Sequence, residues 1–202
     1  MRPFAKILLA ASLLASTPAF AADKYTLDKS HTNILFFIDH LGFSQTIGRF
    51  DDMDATLMLD EAAPEKSSVD VVIRPASINT QSAELNKHLQ NAEWFNTEKF
   101  PEIKFASKSV VKTGASTADI TGDLTLLGVT KSVTLKAKLN KADYFQMMDA
   151  WIAGFNAETT IKRSDFGLKE GIPFVGDEVK IMISTEFNNK EKKRPMPEAK
   201  KH

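Results

Sequence analysis

The sequence predicts an all-β protein in which eight antiparallel strands and one short helix form either an up-and-down β-barrel or a sandwich. Three observations support this prediction: apolar and polar residues alternate in eight segments, most connections are short, and only one segment has helical spacing. Alternation with period two gives each strand one dry face and one wet face. Short connections allow neighbouring strands to pair as antiparallel hairpins.

The strands follow from this alternation in order along the chain. In the second strand, Ala55, Leu57 and Leu59 face one side, whereas Asp54 and Asp60 face the other. The single helical pattern covers residues 81–96 and lies between the third and fourth strands. The predicted strands span residues 34–40, 54–60, 69–73, 103–111, 120–126, 132–139, 153–161 and 177–187.

The first 21 residues predict a secretory signal peptide rather than part of the fold. Two basic residues precede an apolar run at 7–20, which ends in the small-residue motif Ala19-Phe20-Ala21. The run is too short to cross a bilayer as a helix. We therefore expect a single domain over residues 22–189 in the periplasm, followed by a tail at 190–202.

Charge and cysteine content exclude several classes of protein. The chain has no cysteine, so it has neither a disulfide framework nor a thiolate site. Residues 22–189 carry 18 basic and 24 acidic residues, which argues against a nucleic-acid partner. The tail has six basic and two acidic residues and is predicted to be disordered. A solvated terminus is the favoured interpretation; transient contact with an anionic membrane is the alternative.

Several residues on the predicted inner faces are small, which favours a hollow interior. Gly122, Ala137, Ala153, Ala157 and Thr159 lie in register with larger neighbours. An eight-stranded barrel is either just filled by side chains or open enough for one small ligand. The alternative is a dry core filled by phenylalanine rings from opposite walls.

The two histidines of the first strand predict a mouth rather than a metal site. His31 and His40 are separated by roughly 30 Å of extended chain, too far to share an ion. His40 should point inward at the end of its strand, and Arg163 should do so at the end of the seventh. The third strand leads into the helix that carries His88. These groups should meet at one rim, where His40 and Arg163 either close the barrel or contact a ligand's polar head.

The sequence predicts neither an enzyme nor a cofactor. Asp28, Ser30 and His31 are close in sequence, but neighbouring strand residues point to opposite faces, so Ser30 and His31 should not pair as nucleophile and base. There is no G-x-S-x-G elbow, phosphate-binding loop, H-E-x-x-H motif or paired-carboxylate pattern. A lipid-directed hydrolase is the less favoured alternative.

Four segments resemble the YceI family: "YTLDKSHTNILFFIDHLGFSQTIGRFDDMDATL", "HLQNAEWFNTEKFPEIKF", "ITGDLTLLGVTKSVTLKAKL" and "AGFNAETTIKRSDFG". The resemblance covers residues 24–188, and Met53 and Ala55 depart from the family pattern. It implies a lipocalin-like, eight-stranded up-and-down barrel outside the cytoplasm that binds a polyisoprenoid lipid. The matched positions are Asp28, His31, Phe36, His40, Gly48, Phe50, His88, Leu89, Phe95, Phe100, Pro101, Phe105, Gly122, Leu124, Gly128, Arg163, Phe166 and Gly167.

Residue pattern and resemblance together predict a non-catalytic carrier of a polyisoprenoid amphiphile, such as an isoprenoid quinone or a polyprenyl lipid. Fatty-acid or fatty-amide binding in the same barrel is the alternative. We expect no metal site, and the sequence leaves open whether the protein forms a homodimer. We expect His40, His88 and Arg163 to contact the head group. The expected apolar lining consists of Phe36, Phe50, Leu57, Phe105, Leu124, Phe155, Ala157 and Phe187.

Overall fold

A computed structural model describes residues 22–193, and the predicted signal peptide at 1–21 lies outside the described residues. Regular structure follows the alternation of apolar and polar residues, with long strands joined by tight turns. The elements are β1 (Asp23–His40), β2 (Ser44–Phe50), β3 (Met53–Leu59), β4 (Ser68–Ile73), β5 (Ile78–Asn79), α1 (Ala83–Leu89), β6 (Ile103–Lys112), β7 (Thr117–Leu126), β8 (Val129–Phe145), β9 (Ala150–Lys162) and β10 (Val175–Asn189).

Eight of these strands close into a barrel. The ring runs β1, β3, β4, β6, β7, β8, β9 and β10, and β10 pairs back onto β1. Every pairing is antiparallel and joins strands that are neighbours in the ring, so the predicted up-and-down β-barrel is confirmed. The helix α1 lies between β4 and β6, which are the predicted third and fourth strands.

The first strand is longer than predicted and has more than one partner on the same edge. Its beginning pairs with β3 through Tyr25 and Leu57, and its end pairs with β2 through Phe36 and Gly48. Only residues 51–52 separate β2 from β3, so the two act as one bent strand beside β1. The predicted strands do not include β2, because the large apolar residue Ile47 faces outward and is exposed, which interrupts the expected alternation.

The helix is shorter than the predicted span 81–96. The Ser82 hydroxyl caps its first turn by accepting a hydrogen bond from the backbone N–H of Leu85 at 3.2 Å. The chain leaves the helix near Asn91, whose side chain accepts a hydrogen bond from the backbone N–H of Glu93. This local bond competes with helix continuation, and Asn96 then adopts a positive φ of 44°.

Apolar side chains pack in two clusters at opposite ends of the barrel. One lies beneath α1, on the rim where β1, β4, β7 and β9 end, and includes Phe50, Leu89 and Phe166. The other lies at the opposite end and includes Tyr25 and Ala153. Odd-numbered predicted strands therefore end together on one rim, as their directions require.

The last described residues pack on the outside of the barrel. Lys192 forms ion pairs with Asp23 at 2.8 Å and Glu61 at 2.9 Å and lies over the ring of Trp151. Burial lowers the pKa of Lys192, but hydrogen bonds from it to Asp23 and Glu61 outweigh this effect and raise the pKa. The start of the predicted tail is thus held in place, whereas residues 194–202 lie outside the described part of the chain.

No helix in the stretch 22–193 is both long and apolar enough to cross a bilayer.

Candidate functional site

The barrel encloses a cavity of about 480 Å³ that runs along its lumen. Its walls are the inward faces of the ring strands and one face of α1, and most of the lining side chains are apolar. All eight residues predicted as apolar lining face this cavity: Phe36, Phe50, Leu57, Phe105, Leu124, Phe155, Ala157 and Phe187. Their contact with a ligand stays a prediction.

Small side chains keep the middle of the lumen open. Ala137 and Ala157 are direct cross-strand partners on β8 and β9, and both line the cavity. Thr159, two residues further along the same face of β9, lines it as well. At these positions a short side chain leaves space that a larger one would fill.

Two other small residues do not act as predicted. Ala153 is fully buried in the cluster at the end away from α1, so it closes the barrel instead of widening it. Gly122 does not line the cavity, because the ring of Phe105 already covers it: a Cβ at Gly122 would lie 2.6 Å from Phe105 Cζ. The alternation of residues along a strand predicts which face a residue lies on, but it does not show that a neighbouring ring fills the space above a glycine.

A second glycine receives a ring in the same way. Gly48 is paired with Phe36 across β2 and β1, and a Cβ there would lie 2.6 Å from Phe36 Cε1. A ring that leans over a glycine stays close to the wall instead of projecting across the lumen. The two pairs therefore let the barrel carry large aromatic residues without filling its interior.

The end of the lumen away from α1 is closed by side chains. Tyr25 is fully buried there with Leu57 and Leu59. The rings of Phe155 and Phe187 meet edge to face, with centroids 6.3 Å apart. The lumen therefore has a closed apolar base, opposite the rim that carries the helix.

The predicted head-group residues face the same cavity at the helix rim. His40, His88 and Arg163 all line it, and His88 also lines a groove on the outer side of α1 with Lys87 and Asn91. The helix therefore forms part of the mouth. This placement agrees with the strand directions, but it does not test binding.

Arg163 is held by backbone carbonyl groups of the loop after β9 and of the first residues of β10. Its side chain is 1% exposed. Nε donates to the carbonyl of Gly176 at 2.8 Å, Nη1 to Leu168 at 3.0 Å and Nη2 to Val175 at 2.9 Å. Burial lowers the pKa of Arg163, and the nearby carboxylate of Asp177 opposes this shift. Arg163 therefore braces the rim, and its contact with a head group stays a prediction.

Sequence reasoning missed Trp94 as a mouth residue. Its ring centroid lies 5.6 Å from that of His88, and the guanidinium carbon of Arg163 lies 5.5 Å from it. Trp94 lines the cavity, and its buried indole N–H has no hydrogen-bond partner among the described residues. A buried donor without a partner is costly, so this N–H is suited to an oxygen of a bound molecule. The sequence did not indicate this position at the mouth, because the helical spacing placed Trp94 in a longer helix.

The outer face of β1 carries a polar cluster whose geometry differs from the prediction. The Ser30 hydroxyl donates to Asp28 Oδ1 at 2.5 Å and lies 3.1 Å from His31 Nδ1. Ser30 and His31 do pair, contrary to the strict alternation, because the register of β1 shifts between Asp28 and Asn33.

This cluster does not form a nucleophilic triad. The same nitrogen, His31 Nδ1, faces both Ser30 and Asp28, with Asp28 Oδ2 at 3.0 Å. In a triad the base uses one ring nitrogen for the hydroxyl and the other for the carboxylate. Hydrogen bonds from Ser30 and His31 hold the pKa of Asp28 well below its usual range, and Asp28 raises the pKa of His31.

The same outer cluster contains ligand atoms close enough for a metal ion. Atoms of Asp28, His31 and Glu186 lie within 4.8 Å of one another. However, Asp28 already accepts hydrogen bonds from Ser30 and Asn188, and its hydrogen bond to His31 raises the pKa of that imidazole. The internal hydrogen bonds account for this arrangement without an ion.

Comparison with known proteins agrees with this architecture. The model of the YceI-like domain family matches residues 25–187. The protein YceI of Escherichia coli is 44% identical over 181 residues, which cover 87% of this chain and 92% of that relative.

Two solved structures have the same fold. The YceI protein of Campylobacter jejuni superposes with a TM-score of 0.68 at 31% identity, covering 76% of this chain and 90% of that one. A polyisoprenoid binding domain from Saccharophagus degradans gives a TM-score of 0.65 at 16% identity, covering 81% and 97%, and shows likeness of fold. Because the family model spans nearly the whole barrel and the Escherichia coli relative aligns over most of both chains, this chain belongs to the YceI family.

Proposed function

We propose that the protein is a non-catalytic carrier that holds a polyisoprenoid amphiphile in its lumen and moves it through the aqueous periplasm. The observation that carries the proposal is a long apolar cavity with a closed base and polar groups gathered at its mouth. Cavities of a few hundred Å³ with this distribution of polar groups are typical of small-molecule sites. The resemblance in fold to a polyisoprenoid binding domain supports the choice of ligand.

An apolar chain gains its binding free energy from burial alone. Each methylene group removed from water contributes about 0.8 kcal/mol, so a few isoprene units reach micromolar affinity without any specific polar contact. The lining of Phe105, Leu124 and Ala157 supplies such a surface. Affinity should therefore rise with chain length until the lumen is full.

The mouth favours a neutral head group over a carboxylate. The indole N–H of Trp94 is a neutral donor without a partner, whereas the guanidinium of Arg163 is already bound to three carbonyl groups. A hydroxyl or quinone oxygen matches the free donor. A fatty acid would bring a negative charge to a mouth where the buried guanidinium of Arg163 already donates to three carbonyl groups. We therefore rank fatty-acid binding second.

Catalysis has less support than binding. The adjacent pair Ser30 and His31 lies on the outer face of β1, away from the lumen lining. Its geometry does not let one imidazole bridge a hydroxyl and a carboxylate through different nitrogens. The lumen itself is lined by phenylalanine, leucine, isoleucine, valine and threonine rather than by paired acids and bases.

The identity of the ligand can be tested directly. Protein purified from the periplasm of its native host is extracted with organic solvent, and the extract is analysed by mass spectrometry. An isoprenoid quinone or polyprenyl lipid in stoichiometric amount supports the proposal. Fatty acids would favour the second candidate, and a lipid-free extract from repeated preparations, with no uptake of added polyprenol, would refute the carrier.

Trp94 provides a sharper test of the mouth. Trp94→Phe keeps an aromatic ring but removes the indole N–H, so affinity for a polyprenol or quinone should fall by about 1 kcal/mol, roughly fivefold. Affinity for an isoprenoid hydrocarbon without a head group should not change. Equal losses for both ligands would assign Trp94 to packing alone.

A further inference from the structure

The mouth is bordered by four exposed apolar side chains, which we call the mouth rim. Leu41 and Phe43 lie at the turn between β1 and β2, and Ile172 and Phe174 lie in the loop between β9 and β10. Phe43 is 90% exposed and Phe174 is 67% exposed, so most of each residue is in contact with water. Exposed aromatic residues grouped at one site indicate an interaction surface.

The two rim segments contain no charged residue, although charged residues flank them. Residues 41–45 have the sequence "LGFSQ" and residues 171–176 have "GIPFVG", with neither acidic nor basic residues. The carboxylate of Asp39 accepts a hydrogen bond from the backbone N–H of Gly42 at 2.9 Å, and Lys169 and Glu170 directly precede Gly171. Over the rest of the described chain charged residues are frequent on exposed positions. An uncharged apolar tip next to a charged surface fits the interior of a lipid layer better than it fits water.

The rim is held in shape rather than loose. The backbone N–H of Leu41 donates to the carbonyl of Phe174 at 2.8 Å, which joins the two segments. The N–H of Val175 donates to Gly171 at 2.8 Å, and Arg163 holds the carbonyl of Val175 at 2.9 Å. The backbone that presents the aromatic side chains therefore does not need to be ordered on contact.

The rim is also continuous with the cavity. His40, which precedes Leu41, and Val175, which follows Phe174, both line the lumen. An apolar chain that leaves the lumen here meets apolar side chains and no charged group on these two segments.

We propose that the mouth rim inserts into the surface of a phospholipid bilayer, so that the ligand passes between membrane and lumen without crossing water. This inference rests on the proposed function, because it assigns to the same mouth the membrane as donor or acceptor of the lipid. Four side chains are far fewer than the roughly 20–30 residues per partner of a stable protein interface. They are enough for shallow, reversible insertion of apolar groups into a bilayer surface.

The opposite end of the barrel supplies a matched control. Met147, in the turn between β8 and β9, is 88% exposed, as much as Phe43. It lies at the closed base instead of the mouth. If any exposed apolar side chain caused vesicle binding, Met147 would contribute about as much as Phe43 alone.

The first experiment measures flotation of the chain from residue 22 to residue 202, without the predicted signal peptide, with phosphatidylcholine vesicles at high salt, which suppresses contacts of the basic tail. The wild type should float with the vesicles. Phe43→Ser, the rim variant, should reduce the partition coefficient about tenfold, because one large apolar side chain no longer leaves water on contact. Met147→Ser should change it less than about twofold. Equal flotation of the three proteins, or flotation only with anionic vesicles at low salt, would overturn the proposal.

The second experiment separates membrane contact from ligand binding. A fluorescent polyprenol is offered either in detergent or inside the phosphatidylcholine vesicles. The rim variant should load from detergent as well as the wild type, but it should extract the probe from vesicles about tenfold more slowly. Equal extraction rates would refute the rim's role.

Two further outcomes have distinct meanings. If no protein loads the probe from detergent, the carrier function is wrong, while flotation still decides whether the rim binds membranes. Sedimentation of the wild type as a dimer that the rim variant abolishes, without any difference in flotation, would overturn the membrane proposal in favour of a second copy of the chain as the partner.

Discussion

Replacing Ala157 by tryptophan should block the lumen while leaving the barrel folded. Ala157 lies in the middle of β9, opposite Ala137 on β8 and Ile183 on β10, and its side chain faces the cavity of about 480 Å³. The indole would enter space that no side chain fills. Overpacking a filled core costs about 1–3 kcal/mol, and an open lumen should cost less than that.

The loss of affinity follows from the ligand carbons that the indole displaces. An indole takes the place of roughly five methylenes, each contributing about 0.8 kcal/mol of burial, which gives about 4 kcal/mol. This loss corresponds to roughly a thousandfold weaker binding. The midpoint of thermal unfolding should move by only a few degrees.

The assay is titration of lipid-free protein with a polyprenol, followed by circular dichroism to confirm the fold. The matched control is Thr160→Trp, because Thr160 lies on the same strand with its side chain exposed outside the barrel. That variant should bind as the wild type does. Unchanged affinity in a correctly folded Ala157→Trp would show that the ligand does not lie in the lumen.

Three further predictions test how the barrel is built. Arg163→Met removes the donors to one buried and two partly buried carbonyl groups and should lower the free energy of unfolding by about 3–5 kcal/mol in urea titration; a loss below about 1 kcal/mol would contradict the bracing role. Gly48→Ala should cost about 1–3 kcal/mol because its Cβ meets a ring, whereas Gly154→Ala, with its nearest neighbour at 3.9 Å, should be neutral or slightly stabilising. Because Asp28 raises the pKa of His31, the charged pair stabilises the fold below the ordinary histidine pKa of 6.5, and this effect disappears as pH rises through the raised value. His31→Asn should therefore lower the unfolding temperature at about pH 5.5 but not at about pH 9, and an equal loss at both would refute the charge effect.

Strand alternation and direction were sufficient to predict the inner face and the mouth. Parity alone placed His40 and Arg163 toward the lumen, and the rule that alternate strands end on one rim brought them to the rim of α1. These predictions hold because a closed antiparallel barrel leaves little freedom in which face points inward. The same patterns do not predict which atoms the end of a long side chain contacts.

The misses have local causes. The strand β2 was missed because its inward positions are threonine, glycine and phenylalanine, with the aliphatic Ile47 outside. The pairing of Ser30 with His31 depends on a register shift that no period-two pattern contains. The space above Gly122 depends on how the ring of Phe105 leans, which is a property of packing between strands.

The pairing of β1 with β10 makes closure of the ring depend on both ends of the chain. Thr26 donates its hydroxyl hydrogen to the carbonyl of Asn188 across a separation of 162 residues. Such distant contacts form late and slow the folding of β proteins. A polypeptide lacking the segment after Val175 would leave two long edges unpaired, β1 and β9, and unpaired edges template aggregation. The barrel therefore keeps two unpaired edges until β10 has joined both β9 and β1.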